Sequence, residues 1–264
     1  MPSFRYVLLD PTGNLTCLVL DPVPAALRPR VTAALMGCCE QVGYLERPFD
    51  PAARARLSMM GGEFCGNASM AAAAWLAQMD GAAGETVVPL EVSGAEGVVS
   101  CAVRPLPDGA FEGTVSMPPV REILSSRLGP FFAPLVRLDG IAHWILPDHP
   151  LLKAEAEALL TDHAPALPDP SAGLLLWDSQ ARFMRPLVWV RGSGTLVWET
   201  GCGSGSTAVG AWLSLPLGDG THTQDIRQPG GVIRVSCRVQ SARPAAVSIT
   251  GRVRLGPRET LTLP

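Results

Sequence analysis

Lysine is almost absent from this chain: of 21 basic residues, Lys153 alone is a lysine and the others are arginines. Pyridoxal phosphate needs a lysine amine for its Schiff base. Lys153 lies in Leu151-Leu-Lys-Ala-Glu-Ala-Glu-Ala-Leu-Leu160, which reads as a surface helix with the lysine on its solvated side. No cofactor is therefore expected. Charge is also scarce, at 17% of residues with a net value of -3. That balance gives no sign of a nucleic-acid or anionic-membrane partner. No apolar run reaches the roughly 18 residues of a spanning helix. The start, Met1-Pro-Ser-Phe-Arg-Tyr-Val-Leu-Leu-Asp10, lacks the layout of a signal peptide, so the cytoplasm is the expected compartment. No Cys-x-x-Cys pair occurs among the 7 cysteines, so neither a zinc site nor a thioredoxin-type motif is expected. Cys38 and Cys39 are adjacent and read as poorly placed to chelate one metal, and free thiols are the expectation for a cytosolic chain.

What the chain does have is a repeat. Glu63-Phe-Cys-Gly-Asn-Ala-Ser-Met-Ala-Ala-Ala-Ala-Trp75-Leu76 returns as Thr200-Gly-Cys-Gly-Ser-Gly-Ser-Thr-Ala-Val-Gly-Ala-Trp212-Leu213. With Cys65 laid on Cys202, Gly66 meets Gly203, Ser69 meets Ser206, and Trp75-Leu76 meets Trp212-Leu213. Each copy reads as a cysteine on a glycine turn that opens a helix of small residues. A second signal agrees with the first. Ser100-Cys101 and Ser236-Cys237 stand at matching places, Cys101 lying 36 residues after Cys65 and Cys237 35 after Cys202. Both lie in β-like runs and read as buried strand residues.

The rest of the chain follows the same plan twice. Arg5–Asp10 and Leu15–Leu20 flank the turn Pro11-Thr-Gly-Asn14, a hairpin signature. A helix is expected near 27–36 and strands near 41–45 and 57–60. The first cysteine helix should run over 66–79, followed by two β runs between Thr86 and Val103 broken at Ser93-Gly94. The second half has β runs near 136–138 and 143–146, a helix near 151–160, and strands near 174–177 and 186–190, after which Leu196-Val-Trp-Glu199 leads toward the second cysteine turn. The second cysteine helix comes next, then β runs from 223 to 237. The apolar fraction of 47% is ample for a core. The fold class is α/β, with two pseudo-symmetric halves that each wrap a mixed sheet around a central helix. The expected boundaries are 1–120 plus 254–264 for the half with Cys65, and 121–253 for the half with Cys202.

The two turns suggest a chemistry. A cysteine at a helix N-terminus meets the positive end of the helix dipole and unpaired amides, which lower a thiol's pKa. Glycine beside it lets a ligand approach the backbone, and amides at such a terminus bind carboxylates. Two termini of this kind could hold the α-carboxylate of an amino acid, with one cysteine on each side of Cα. Inverting a stereocentre needs that arrangement, because one group removes the α-proton while the other supplies one to the opposite face. Fixed dipoles in a dry site would stabilise the carbanion without a cofactor.

These residues resemble the diaminopimelate epimerase-like superfamily of cofactor-independent racemases, marked by a Cys-Gly-Asn turn and a Cys-Gly-Thr/Ser-Gly turn. Here the turns are Cys65-Gly66-Asn67 and Cys202-Gly203-Ser204-Gly205, and the resemblance covers essentially the whole chain. It implies Cys65 and Cys202 as the catalytic pair, and His143 and Glu199 as residues that tune them. Asn14, Gly66, Asn67, Gly203 and Ser204 would contact substrate, with no metal. The chain departs from diaminopimelate epimerases at Gly140-Ile-Ala-His143, around Leu174-Leu-Leu-Trp177 and at Leu196-Val-Trp-Glu-Thr-Gly201, where the groups for a distal amino-carboxylate are missing.

The chain more closely resembles the histidine racemase branch, which makes D-histidine for staphylopine-type metallophores. Pro11-Thr-Gly-Asn-Leu-Thr16, Cys38-Cys-Glu-Gln-Val-Gly-Tyr-Leu-Glu46 and Gln228-Pro-Gly-Gly231 carry that likeness. It implies Glu40 in the substrate pocket, where a carboxylate can pair with an imidazole. It also implies a small amino-acid substrate, a homodimer, and a C-terminal strand near 252–263 that returns to the first half. Two other readings stand beside it. One is an epimerase of another amino acid, such as diaminopimelate or a hydroxyproline-like imino acid. The other is a non-catalytic thiol protein, either a redox sensor or an amino-acid binder.

Overall fold

The computed structural model describes residues 1–192 and 194–263. It contains two compact units, Met1–Ser116 with Thr250–Pro264 and Met117–Ile249. Among the described residues no helix is long and apolar enough to cross a membrane.

The first unit holds β1 (Ser3–Pro11), β2 (Thr16–Val19), α1 (Arg28–Leu35), β3 (Gln41–Glu46), β4 (Ala55–Met59), α2 (Gly66–Met79), β5 (Thr86–Val92), β6 (Val98–Pro105) and β7 (Phe111–Ser116). It also takes the end of the last strand, β16 (Arg243–Thr262). Each strand bonds the next in the order β1-β2-β3-β4-β5-β6-β7-β16, and β16 bonds back to β1, so eight strands close on themselves. The closing pair is antiparallel, from Ser3 opposite Thr262 to Pro11 opposite Val253. Closure removes the exposed edges of an open sheet. The mixed sheet expected from the sequence is here a barrel.

The barrel wraps α2. Every residue from Gly66 to Ala77 is buried, and the helix packs against β1, β2, β5, β6 and β7. A helix buried on all sides needs apolar residues all round, and strands can close on it only if its side chains are short. Ala71 to Ala74 meet both demands. The strand side gives way as well. A Cβ added to Gly113 of β7 would lie 2.9 Å from Met70 Cβ of α2.

The second unit holds β8 (Glu122–Leu128), β9 (Phe131–Leu138), β10 (Ile141–Pro147), α3 (Lys153–His163), β11 (Ser171–Asp178), β12 (Phe183–Val190), β13 (Thr195–Trp198), α4 (Gly203–Ser214), β14 (Gly220–Gln228) and β15 (Gly231–Gln240). Its sheet runs β8-β9-β10-β11-β12-β14-β15 and on to β16, with β13 paired to β12. The helix α4 packs against β9, β10, β14 and β15. Ala156 and Leu160 of α3 join Trp144, Leu146, Leu174, Leu176 and Leu187 in a separate apolar cluster.

The two units share one plan. In the first, β2 and β3 are parallel, β3 and β4 antiparallel, β4 and β5 parallel, and β5 and β6 antiparallel. In the second, the same sequence is met at β10/β11, β11/β12, β12/β14 and β14/β15. Parallel neighbours need a crossover, and α1, α2, α3 and α4 supply them. Each cysteine turn therefore opens the second crossover helix of its unit. The strand β8 falls outside the sequence expectation. Its Glu122-Ile-Leu-Ser-Ser-Arg-Leu128 has one fully buried residue, Leu128, and so almost no alternation to read.

The tightest contact of α4 gives a test. A Cβ on Gly210 would lie 2.5 Å from Val235 Cγ1 and 2.6 Å from Val235 Cβ, neither of them a flexible tip. Helix propensity alone predicts that Gly210→Ala stabilises by about 1 kcal/mol. The clash with β15 should reverse the sign and cost about 1–3 kcal/mol, as read by denaturant unfolding.

Candidate active site

The first cysteine turn is a helix cap made of sulfur. Cys65 is the N-cap of α2 in an extended conformation (φ -131°, ψ 110°), and its Sγ accepts from the Ala68 amide at 3.4 Å. Ser69 Oγ donates to the Cys65 carbonyl at 2.7 Å. The turn is thus held by its own helix on both sides of the thiol. Caps are usually oxygen from Ser, Thr, Asp or Asn. A thiol in that role places a titratable group at the positive end of the dipole.

Around Cys65 the unit assembles a polar cluster. The thiol donates to Gln41 Oε1 at 3.2 Å. Gln41 Nε2 is fixed in turn by Asn14 Oδ1 at 2.6 Å and Thr16 Oγ1 at 2.7 Å. Asn14 Nδ2 donates to Glu40 Oε2 at 2.8 Å, and Asn67 Nδ2 donates to Asn14 Oδ1 at 3.3 Å. Asn14, Gln41 and Asn67 are buried, whereas Glu40 and Cys65 are half-buried. Four residues singled out from the sequence, Asn14, Glu40, Cys65 and Asn67, thus share one network. Gly66 stands at the first helical position, where an amide has no acceptor within its own helix. Gln41 and Thr16 were not assigned from the sequence, although both lie in stretches that carry the family likeness. A buried glutamine between an asparagine turn and a thiol has no one-dimensional signature.

The second turn repeats the cap. Cys202 is the N-cap of α4 (φ -111°, ψ 109°), its Sγ accepts from the Gly205 amide at 3.3 Å, and Ser206 Oγ donates to its carbonyl at 2.6 Å. Gln228 braces the turn, its Oε1 accepting from the Cys202 amide at 2.7 Å while its Nε2 donates to Ser206 Oγ at 2.8 Å. Gln228 and Ser206 also escaped the sequence assignment. Gly205 has a steric reason to be glycine, since a Cβ there would lie 2.9 Å from Leu175 Cδ2 and 3.1 Å from the Cys202 sulfur. Gly203 and Ser204 take the first two helical positions.

The surroundings of Cys202 are unlike those of Cys65. Cys202 is 3% exposed. Burial first, then the charge of Glu199 and its hydrogen bond to the thiol, push this pKa well above the ordinary value. Ser204 and the Gly205 amide pull the other way and lose. The sequence led us to expect a lowered value at both turns. At Cys202 desolvation and a neighbouring carboxylate outweigh the helix terminus, because both disfavour the thiolate directly.

His143, on β10, completes this cluster. It is fully buried, its Nε2 lies 2.9 Å from Ser204 Oγ, and Ser204 Oγ lies 3.5 Å from Cys202 Sγ. Burial drops the imidazole pKa to about 3, so the ring is neutral. Its Nδ1 has no hydrogen-bond partner among the described residues. A buried N–H without an acceptor is rare. The proton therefore belongs on Nε2, donating to Ser204, whose hydroxyl can turn its own proton toward the Cys202 sulfur. Gly173 sits opposite His143 in the β10/β11 pairing, and a Cβ there would lie 2.1 Å from His143 Nδ1. Backbone packed against the ring fixes its orientation.

These environments predict a measurable difference. In Glu199→Gln the carboxylate charge beside the sulfur is gone, so the Cys202 pKa falls and the thiolate fraction at a given pH rises. Iodoacetamide labelling of Cys202, followed by peptide mass mapping, should reach half its limiting rate at a lower pH than in the wild type. An unchanged or higher midpoint would contradict the assignment of Glu199 as the group that holds this thiol protonated.

Comparison with known proteins identifies the family. Residues 3–259 match the family model described as "Histidine racemase CntK N-terminal domain". The chain is 27% identical over 256 residues to a histidine racemase of Staphylococcus aureus, covering 92% of each chain. It is 30% identical over 220 residues to a histidine racemase of Fusobacterium nucleatum, covering 79% of this chain and 80% of that one. A solved structure of a probable proline racemase from Agrobacterium radiobacter, with bound carbonate, has a TM-score of 0.72 to this fold. It is 16% identical, over 99% of this chain and 93% of that one, which establishes likeness of fold alone. Two duplicated thiol caps and a match over nearly the whole length lead to one conclusion: the chain belongs to the histidine racemase CntK family.

Proposed function

We propose that this chain is a cofactor-independent histidine racemase, with Cys65 and Cys202 as its two acid–base groups. The observation that carries this reading is the matched equipment of the two thiols. Each sulfur accepts from an amide of the first helical turn, which stabilises the thiolate. Each thiol also has a side-chain oxygen that accepts its hydrogen bond, Gln41 Oε1 for Cys65 and the Glu199 carboxylate for Cys202. A group so placed can serve as base in one direction and as acid in the other.

In a turnover, one thiolate removes the α-proton of histidine and becomes a thiol. The other thiol gives its proton to the carbanion and becomes a thiolate. No net proton is gained, and the two cysteines have exchanged states. The resting state assigned here has Cys202 protonated, since burial and Glu199 both favour the thiol. Gly66 and Asn67 in one unit, and Gly203 and Ser204 in the other, are the proposed substrate contacts, since helix-terminal amides favour an anion. Ser204 donates to the Cys202 sulfur when it is a thiolate, and His143 orients that hydroxyl by donating to it.

Histidine as substrate is supported by the family match and by Glu40. This carboxylate is half-buried and tethered through Asn14 to the Cys65 cluster. It can accept from an imidazole N–H or pair with imidazolium. The resemblance of the sequence to the metallophore branch supports D-histidine as a metallophore precursor, and a homodimeric cytoplasmic enzyme.

Three experiments test the reading. With L- and D-histidine in deuterium oxide, Cys65→Ser should lose α-deuterium exchange from one enantiomer and Cys202→Ser from the other. Racemisation should fall by about 10²–10⁴ in each. Full racemisation in both single variants would sink the proposal. Glu40→Gln should raise KM for histidine by about 10-fold or more, the loss of one charge-assisted hydrogen bond, with a smaller change in kcat. Chiral chromatography across a panel of L-amino acids should show histidine as the preferred substrate, and a preference for diaminopimelate would overturn the role of Glu40.

A further inference from the structure

Three further thiols meet in the first unit, in a group that does not include Cys65. Cys17 on β2 and Cys38 and Cys39 after α1 have sulfurs that all lie within 4.8 Å of one another, with Cys17 and Cys38 at 3.7 Å. Along the chain the adjacent pair is poorly placed to chelate a metal, and no linear pattern adds Cys17, which lies 21 residues before Cys38. The parallel pairing of β2 and β3 brings the segments together, with Thr16 opposite Gln41 and Cys17 opposite Val42. The Cys38 and Cys39 thiols both converge on the Leu35 carbonyl at the end of α1, at 3.2 Å and 3.3 Å. Cys17 and Cys39 are buried at the border of an apolar cluster with Val31, Leu35 and Val42, whereas Cys38 is exposed.

We propose that Cys17, Cys38 and Cys39 form a site for a single thiophilic metal ion, separate from the proton-transfer groups of the racemase. Sulfurs sharing one ion through bonds of about 2.3 Å stand about 3.7–4.0 Å apart. The Cys17–Cys38 spacing is already there, and small rotations of the side chains bring in Cys39. Neither carboxylate nor imidazole belongs to the group. An all-thiol set selects soft or borderline ions such as Cu(I), Zn(II) or Cd(II) over Mg(II) or Ca(II). Cys38 supplies the entry from solvent. On binding, each thiol that becomes a ligand releases its proton to water, and Leu35 keeps the Cys38 amide as a donor at 3.0 Å. Packing alone explains two buried thiols, but not a third that converges on them from the surface.

The test uses Cd(II) and the full chain, reduced and free of oxygen. Cys65→Ser and Cys202→Ser are combined first, so that the proposed catalytic thiols cannot hold the ion. This variant should bind one Cd(II) per chain, with a thiolate-to-metal charge-transfer band in the near ultraviolet and release of protons. Adding Cys38→Ser, at an exposed position, should abolish the tight site while circular dichroism stays unchanged. Adding Cys17→Ala instead should do the same. Two outcomes would overturn the proposal: no tight uptake, or uptake that survives both replacements.

Discussion

The structure depends on one interaction made twice, a cysteine sulfur that accepts the amide at the third position of a buried helix. Everything near it serves two conditions. The helix must be surrounded by protein, so that its terminus acts in a medium where a dipole is only weakly screened. The first turn must also stay rigid, so that the sulfur cannot swing away. Small residues along α2 and α4 meet the first condition, because strands can then approach from several sides. Ser69 and Ser206 meet the second by tying the helix back to the carbonyl of each capping cysteine.

From that common base the two turns diverge by what their neighbouring strands deliver. The first receives neutral amides, Gln41, Asn14 and Asn67, and remains half-open. The second receives a carboxylate, a neutral histidine and full burial. Duplication supplies two equivalent backbones, and divergence of the side chains gives the two sulfurs different surroundings.

The duplicated plan was legible along the chain because its signals are local. Gly66–Met79 is helical over the span that its small apolar residues mark out. The turn at Thr12-Gly13, where both residues have positive φ, separates two antiparallel strands as its Thr-Gly-Asn signature indicates. The hidden parts all involve partners distant in sequence. Gln41 reaches Cys65, Gln228 reaches Cys202, and Gly173 holds the His143 ring. Each contact is created by strand pairing, and no periodicity reports which strand lies beside which.

The sequence by itself determined the two cysteine caps, their helices, the family and the lack of any lysine suited to a Schiff base. Those follow from residue type and near-neighbour geometry, which a linear pattern contains. The return of the C-terminal strand to the first half was expected from the resemblance, but tertiary structure alone decided that it closes the sheet into a barrel against β1, and that Cys17 converges with Cys38 and Cys39. It also decided the sign of the Cys202 shift. A helix terminus favours a thiolate wherever it occurs, but desolvation and the Glu199 charge depend on what the fold packs against the sulfur, and there they are the larger effects.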